Sequence, residues 1–466
     1  MKTKENMAKQ EVDLVLRGGT AITVDSERRV IRDAGIAVQG ENIAFVGKAK
    51  EVSERYQGKL TLDCTDKVVI PGLINGHIHY SHHLSKGLIP DTLGPVIQAN
   101  FTHSKVSPYL TEEDEIWGAQ AILLETLKTG TTTFLEPGSF HPFATIQSGI
   151  QDIGIKGMMG RRASDLVSVG HTAMHESTDK ILELQEKLLK EFSGERLIRP
   201  CVTIVGMGRF TDRLVIESKK IADRYGVLLN MHEAAWLDLV NERRIKTGYR
   251  PVEYLEKLGV LDKNVVLAHM LYVTQKEVDI LAKRGTKVVW CPSASLRTAY
   301  SLQFGRYPEM LEAGIPVALG SDGSDCSNYH DMVRVMNLAA VLYKGLRCDP
   351  EIMGAEQALE MGTINGAMSL GLENEIGSLE AGKKADIVIF DATRADWRPL
   401  FNEVQNLIHS ANGHSVESVI INGRMVVEKG KVLTVDEEEI LAGLRQREED
   451  LKARLEVGVI SPWKFI

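Results

Sequence analysis

Between residues 68 and 322, eight short apolar runs recur, most of them separated by amphipathic stretches, and this alternation constrains the fold more than any other feature. The runs are VVIPGLINGHIH (68–79), GTTTFLE (130–136), KGMMGRRAS (156–164), CVTIVGMG (201–208), GVLLNMHE (226–233), VVLAHM (265–270), KVVWCP (287–292) and PVALGSD (316–322). Three of the intervening stretches, EEDEIWGAQAILLETLKTG, DRLVIESKKIADRYG and TQKEVDILAKRG, read as helices, and each ends at a glycine, a common helix stop. Strands that are apolar along nearly their whole length are buried on both faces, as in a parallel sheet whose crossovers are helices. Eight such units predict an α/β chain with a (β/α)8 TIM-like barrel. A doubly wound open sheet is the alternative topology.

The flanks have another texture. DLVLRGGTAITVD, GIAVQGENIAFVG and KLTLDC near the start, and KADIVIFDA and SVESVIINGRMVVEKGKVLTVD near the end, are short β-rich runs broken by turns. They predict one accessory β-sandwich built from both chain ends. Residues 1–70 and 373–436 would form it, around a barrel at 71–372, with a charged surface helix and tail at 437–466. A chain of 466 residues suits a large barrel plus an accessory domain.

Charge and cysteine usage narrow the partners. The net charge is -8, acids and bases are interspersed, and no basic block suggests nucleic acid. No uninterrupted apolar run approaches the ~20 residues of a membrane span. The five cysteines (Cys64, Cys201, Cys291, Cys326, Cys348) are scattered and odd in number, which fits a reducing compartment better than a disulfide framework. The N-terminal MKTKENMAKQEVD is polar and lacks a signal-peptide core. The expectation is a cytoplasmic protein with a small-molecule substrate.

In a parallel barrel the active site lies at the C-terminal ends of the strands. His77 and His79 close the first run, His232 and His269 lie near the ends of the fifth and sixth, and Asp322 ends the eighth. Alternate residues of a strand face the same way, so His77 and His79 point together into the barrel mouth while Ile78 packs outward. With His232 and Asp322 they make an N3O set for one divalent metal with an open position for water. Zinc is the default, and cobalt or iron could fill the same ligands. Metal-bound water approaches a pKa of ~7, and Asp322 is placed to take its proton and pass it to a leaving group.

The pieces PGLINGHIHYSHHL, NMHEAA, VVLAHMLYVTQKEVDILAKRG, VVWCPSAS, VALGSDGSDCSNYHDMVR and GSLEAGKKADIVIFD resemble the amidohydrolase superfamily, in the branch of cytosine deaminases, triazine hydrolases and adenosine-type deaminases. The resemblance implies a metal-dependent hydrolase with His77, His79, His232 and Asp322 as ligands, and His269 binding the hydrolytic water or polarising the substrate. It also implies self-association, since large barrels of this type often form homo-oligomers. Two-metal members usually carry a carboxylated lysine at the end of the fourth strand. Here that strand reads VTIVGMGR, and Lys156 lies at the opposite pole, so one metal is expected.

Two positions depart from the pattern. Deaminase-like members read H-x-x-E after the fifth strand, where the glutamate protonates a ring nitrogen; the third residue after His232 is Ala235. The third residue after His79 is His82, where relatives often have Gln. His82, Glu136 at the end of the second run, and Trp236 are candidate substrate contacts, with Tyr80, Tyr272 and Tyr329 as further pocket walls; Glu136 could reach a metal ligand as well as the substrate, or pair with Arg161 or Arg162. The missing acid favours attack on an open-chain carbonyl. The leading expectation is therefore cleavage of a C–N or C–S bond in a urea, carbamate or thiocarbamate, as in the phenylurea and molinate hydrolases. The alternative is deamination of an amino-substituted pyrimidine, purine or triazine.

Overall fold

The computed structural model describes residues 9–89, 105–148, 150–166, 175–299, 302–455, 461, 463 and 464. Eight parallel strands follow one another around a barrel: Leu73–Asn75, Thr131–Ser139, Lys156–Arg161, Ile198–Pro200 continuing as Val202–Gly206, Leu229–Glu233, Val265–His269, Lys287–Trp290 and Val317–Leu319. Each pairs in parallel with the next, from Thr131↔Leu73 to Trp290↔Leu319. The ring closes where Asp322–Gly323 pairs in parallel with Ile78–His79. This is the TIM-barrel type of α/β fold. An open doubly wound sheet has no such closing ladder.

Local sequence explains the helices. Glu112–Lys128, Asp212–Tyr225 and Gln275–Arg284 each begin after a threonine whose hydroxyl accepts a backbone N–H of the first turn. The last two end on Gly226 and Gly285 in the left-handed region, at φ 65° and 66°. The C-terminal helix Glu437–Arg454 lies against the first of them, with Arg454 paired to the buried Asp114 at 2.7 Å. Gly443 leaves room there for the Trp117 ring.

The first apolar run is divided among three partners rather than forming one strand. Lys67–Pro71 joins a seven-stranded outer sheet, beside Ile387–Asp391 and Thr20–Ile22; Leu73–Asn75 is the first barrel strand; Ile78–His79 closes the barrel. The chain crosses from outer sheet to barrel at Gly72, where any Cβ would collide with the Thr132 side chain. A second outer sheet has four strands, Gln10–Arg17, Ala34–Gln39, Asn42–Lys48 and Tyr56–Asp63. The two outer sheets share an apolar core that includes Leu14, Leu16, Ile36, Val38, Val69, Ile387 and Ile420. Among the described residues, no helix is long and apolar enough to cross a membrane. The polar N-terminal segment lies mostly outside the described residues.

Candidate metal centre

His77, His79, His232, His269 and Asp322 all meet at one end of the barrel. The ring of His77 lies 4.8 Å from those of both His79 and His232 and 5.3 Å from that of His269, centroid to centroid. Asp322 Oδ1 is 3.7 Å from Nε2 of both His77 and His79, and its Oδ2 is 4.0 Å from His269 Nδ1. These gaps exceed hydrogen bonds. Donor atoms of His77, His79 and His232 lie within 4.8 Å of one another, and so do those of His77, Asp322 and Cys291. Cys291, just past the seventh strand, was not a candidate ligand from sequence; in the metal-free protein burial pushes its thiol well above the usual range.

The hydrogen bonds of the imidazoles test whether a cation fits. His232 Nδ1 donates to the Val205 carbonyl oxygen at 2.9 Å, so its Nε2 carries a bare lone pair. That Nε2 stands 3.1 Å from His79 Nε2. Two bare imidazole nitrogens at that distance repel unless they share a proton or a cation. On the far side of the ring, His79 Nδ1 faces Glu136 Oε1 at 3.4 Å, the carboxylate–histidine arrangement that orients metal-binding imidazoles. A tetrahedral zinc shell with ~2.1 Å bonds separates its ligands by about 3.4 Å. The donors here fit such an ion.

Electrostatics follow from burial. Desolvation holds His79 and His232 well below the usual imidazole range, and neighbouring imidazoles lower them further. Burial lowers His269 to about 4. Burial alone would raise Asp322, but His77, His269 and His79 overcome it and hold the carboxyl well below the usual range. His79, His232 and His269 are therefore neutral imidazoles near a carboxylate, the forms that bind a divalent ion.

Of the candidate substrate contacts, His82 and Trp236 line the cavity over this cluster, together with Ala235, Met207, Arg162, Arg209 and Asp325. His82 Nδ1 lies 3.5 Å from Asp325 Oδ2, and the Arg209 guanidinium covers the Trp236 ring at 5.7 Å. Glu136 reaches the candidate ligand His79 rather than the cavity. It is fully buried, accepts the backbone N–H groups of Tyr80 and Gly138 at 2.9 and 3.0 Å, and does not line the cavity; it backs His79 instead. Tyr80 packs on Phe134, Tyr272 on Phe304, and Tyr329 under Arg334, so none of these three walls the cavity. Arg209 and Asp325 were not candidates from sequence, and Arg162 only as a partner of Glu136; only their strand-end positions hinted at a place on the cavity wall. Lys156 pairs with Asp386 beside the outer sheet, away from the imidazoles. A larger cleft of ≈ 890 Å³, between Glu41, Trp117, Arg196 and Glu439, contains none of the clustered metal-ligating residues.

Gly206 supports His232 from behind. Its φ is +78°, and a Cβ would run into the His232 carbonyl oxygen. Gly206→Ala is expected to cost about 1–3 kcal/mol and to lower bound metal, because the His232 backbone must move. Urea unfolding of the metal-free variant and metal per chain after dialysis check both; wild-type values for both would refute the argument.

The description "Amidohydrolase family" matches residues 68–426. The chain belongs to that family. It is a hydrolase acting on carbon–nitrogen bonds other than peptide bonds. A 5-methylthioadenosine/S-adenosylhomocysteine deaminase of Moorella thermoacetica is 34% identical over 423 residues, covering 90% of this chain and 95% of the relative. A 5'-deoxyadenosine deaminase of Methanopyrus kandleri is 31% identical, covering 94% and 99%. Among solved structures, an adenosine deaminase from Xanthomonas campestris with bound zinc superposes with a TM-score of 0.88 at 25% identity, covering 96% of this chain and 100% of that one. A triazine hydrolase variant superposes with a TM-score of 0.85 at 24% identity, covering 94% and 99%, a likeness of fold.

Proposed function

We propose that this amidohydrolase is a one-metal aminohydrolase that replaces the exocyclic amino group of an adenine-type ring with oxygen and releases ammonia. The observation that carries the reading is the convergence of His77, His79, His232 and Asp322 in a chain whose full-length relatives are named as adenine-nucleoside deaminases. The reading replaces the urea or carbamate expectation, which none of those names supports. The four side chains would hold the ion, zinc by analogy with the solved relative, and the ion would make water nucleophilic at neutral pH. Asp322 carries one water proton to the amino nitrogen, which leaves as ammonia as the C–N bond breaks. The water oxygen stays on the ring carbon, and the second proton ends on the ring nitrogen. His269, neutral above about pH 4, is placed to orient the water or polarise the ring. Within this reading the two outer sheets form the accessory sandwich, supported by their shared apolar core.

Ala235 favours a second reading. It lies on the cavity wall where deaminase-like members place a proton-donating glutamate, and it carries no proton. A urea or thiocarbamate carbonyl needs no ring protonation. The zinc-loaded protein should be assayed against adenosine, 5'-deoxyadenosine, 5-methylthioadenosine, S-adenosylhomocysteine, aminotriazines, phenylureas and thiocarbamates. Ammonia from an adenine compound is the expected outcome. An amine or thiol from the open-chain substrates, with no ammonia from any ring, would overturn the aminohydrolase reading in favour of the second.

A further inference from the structure

A buried hydrogen-bonded chain brackets the cluster on both of its flanks. Asn75, two residues before His77, donates from Nδ2 to Ser321 Oγ at 2.8 Å, and its Oδ1 accepts the Ser321 backbone N–H at 3.0 Å. Ser321 immediately precedes Asp322. Its hydroxyl meets His330 Nδ1 at 2.8 Å. His330 Nε2 meets the hydroxyl of Ser324, two residues past Asp322, at 2.8 Å. That hydroxyl in turn meets Nδ1 of His83, four residues past His79, at 3.0 Å. Asn75, Ser321, His330 and Ser324 are fully buried, and His83 is 7% exposed.

The bonds can all run one way. The Asn75 amide donates into Ser321, whose own proton is then free for His330 Nδ1. His330 Nε2–H donates to Ser324, whose proton goes to His83 Nδ1. One neutral tautomer of His330 satisfies both serines. None of these five residues has a role in the reaction described above.

What the chain holds is strained. Asp322 has φ +64°, a left-handed conformation that a non-glycine residue keeps only when its surroundings over-determine it. Its N–H donates to the His77 carbonyl oxygen at 2.8 Å, within the short parallel ladder that Asp322–Gly323 makes with Ile78–His79. On either side of it, Ser321 is tied to Asn75 and Ser324 to His83, and His330 joins the two serines across the turn. The His330 backbone is itself anchored, its N–H donating to Glu125 Oε1 at 2.8 Å.

We propose that His330 is a positioning residue for the metal centre: by holding Ser321 and Ser324 with its two ring nitrogens, it fixes the Asp322 carboxylate relative to His77 and His79. This rests on the reading of those three residues as metal ligands. The role is one of geometry and needs no change in protonation. Loss of such an outer partner costs 10–100-fold in metal affinity in comparable sites.

The test uses full-length protein stripped of metal, with zinc affinity measured by chelator competition and unfolding of the zinc-free protein measured alongside. His330→Ala is expected to weaken zinc binding 10–100-fold. His330→Asn, whose amide can replace the contact to Ser321, should recover part of that loss. Ser324→Ala removes a single hydroxyl and should weaken binding in the same direction even if His330→Ala fails to fold. Wild-type zinc affinity in folded His330→Ala, or in both Ser324→Ala and His330→Asn, would overturn the proposal. Wild-type protein that binds no zinc would instead overturn the ligand assignment, and the proposal with it.

Discussion

Asp322→Ala is expected to lower turnover by about 10³- to 10⁴-fold, near the upper end of what a positioned proton carrier supplies. The geometry leaves no substitute. Asp322 lines the cavity, its Oδ1 is 3.7 Å from Nε2 of both His77 and His79, and its Oδ2 is 4.0 Å from His269 Nδ1. The other carboxylate on the cavity wall, Asp325, faces His82 at 3.5 Å. Glu136 backs His79 from outside the cavity. The conservative change is as informative. Asp322→Asn keeps the shape and can still offer an oxygen to an ion, but it cannot take a proton, so it should retain more zinc than Asp322→Ala while remaining comparably inactive. Circular dichroism and thermal unfolding establish that each variant folds, zinc per chain reports ligation, and product release reports turnover. Near-normal turnover in either variant would remove Asp322 from the proton path.

What the sequence disclosed here depended on periodicity. Strand alternation has a fixed period of two, so H-x-H at 77 and 79 implied two imidazoles facing one way, and their rings do lie 4.8 Å apart. The barrel was legible because apolar runs and capped helices alternate at regular intervals, and Thr111, Thr211 and Thr274 mark helix starts in the sequence itself. The splitting of the first run was not legible, because an apolar strand reads the same whether it pairs inside a barrel or with an outer sheet. Only the packing of Gly72 against Thr132 decides it. Which of the two, ligand or substrate, Glu136 would reach was not legible for a related reason. Its strand-end position placed it on the right rim, but whether a carboxylate enters the cavity or turns back to cap Tyr80 and Gly138 depends on loop geometry that no periodicity encodes. His330 could not have been connected to Asn75 or His83 from sequence, since 255 and 247 positions separate them respectively.

Acid is expected to weaken the metal-free protein moderately from pH 6.5 to about 4.5 and far more steeply below, unfolding it within roughly a further pH unit. The two slopes come from two opposed sets of buried groups. Burial lowers His83 and His330 to about 3 and His269 to about 4, and takes His79 and His232 well below the usual range. In the unfolded chain these five imidazoles take up protons near pH 6.5, so each loses about 1.4 kcal/mol of stability per pH unit as the pH falls. Burial raises Glu115 and Glu233 to about 7 and Glu136 well above the usual range. These acids hold protons in the folded state while the unfolded chain releases them above about pH 4.5, so each gains the same amount as the pH falls from 7 to its unfolded value. Five against three leaves a net decline of about 2.8 kcal/mol per pH unit in that window. Below about 4.5 the acids are protonated in both states and their compensation ends. The imidazoles then act together, at up to about 7 kcal/mol per pH unit, against a total stability of about 5–15 kcal/mol. Glu115→Gln separates the sets. With one compensating acid removed, stability should decline by about a further 1.4 kcal/mol per unit from pH 6.5 downward, so the upper slope steepens. Urea unfolding of both proteins between pH 3.5 and 7 measures this; a wild-type profile with no break near pH 4.5, or a Glu115→Gln profile parallel to wild type, would contradict it.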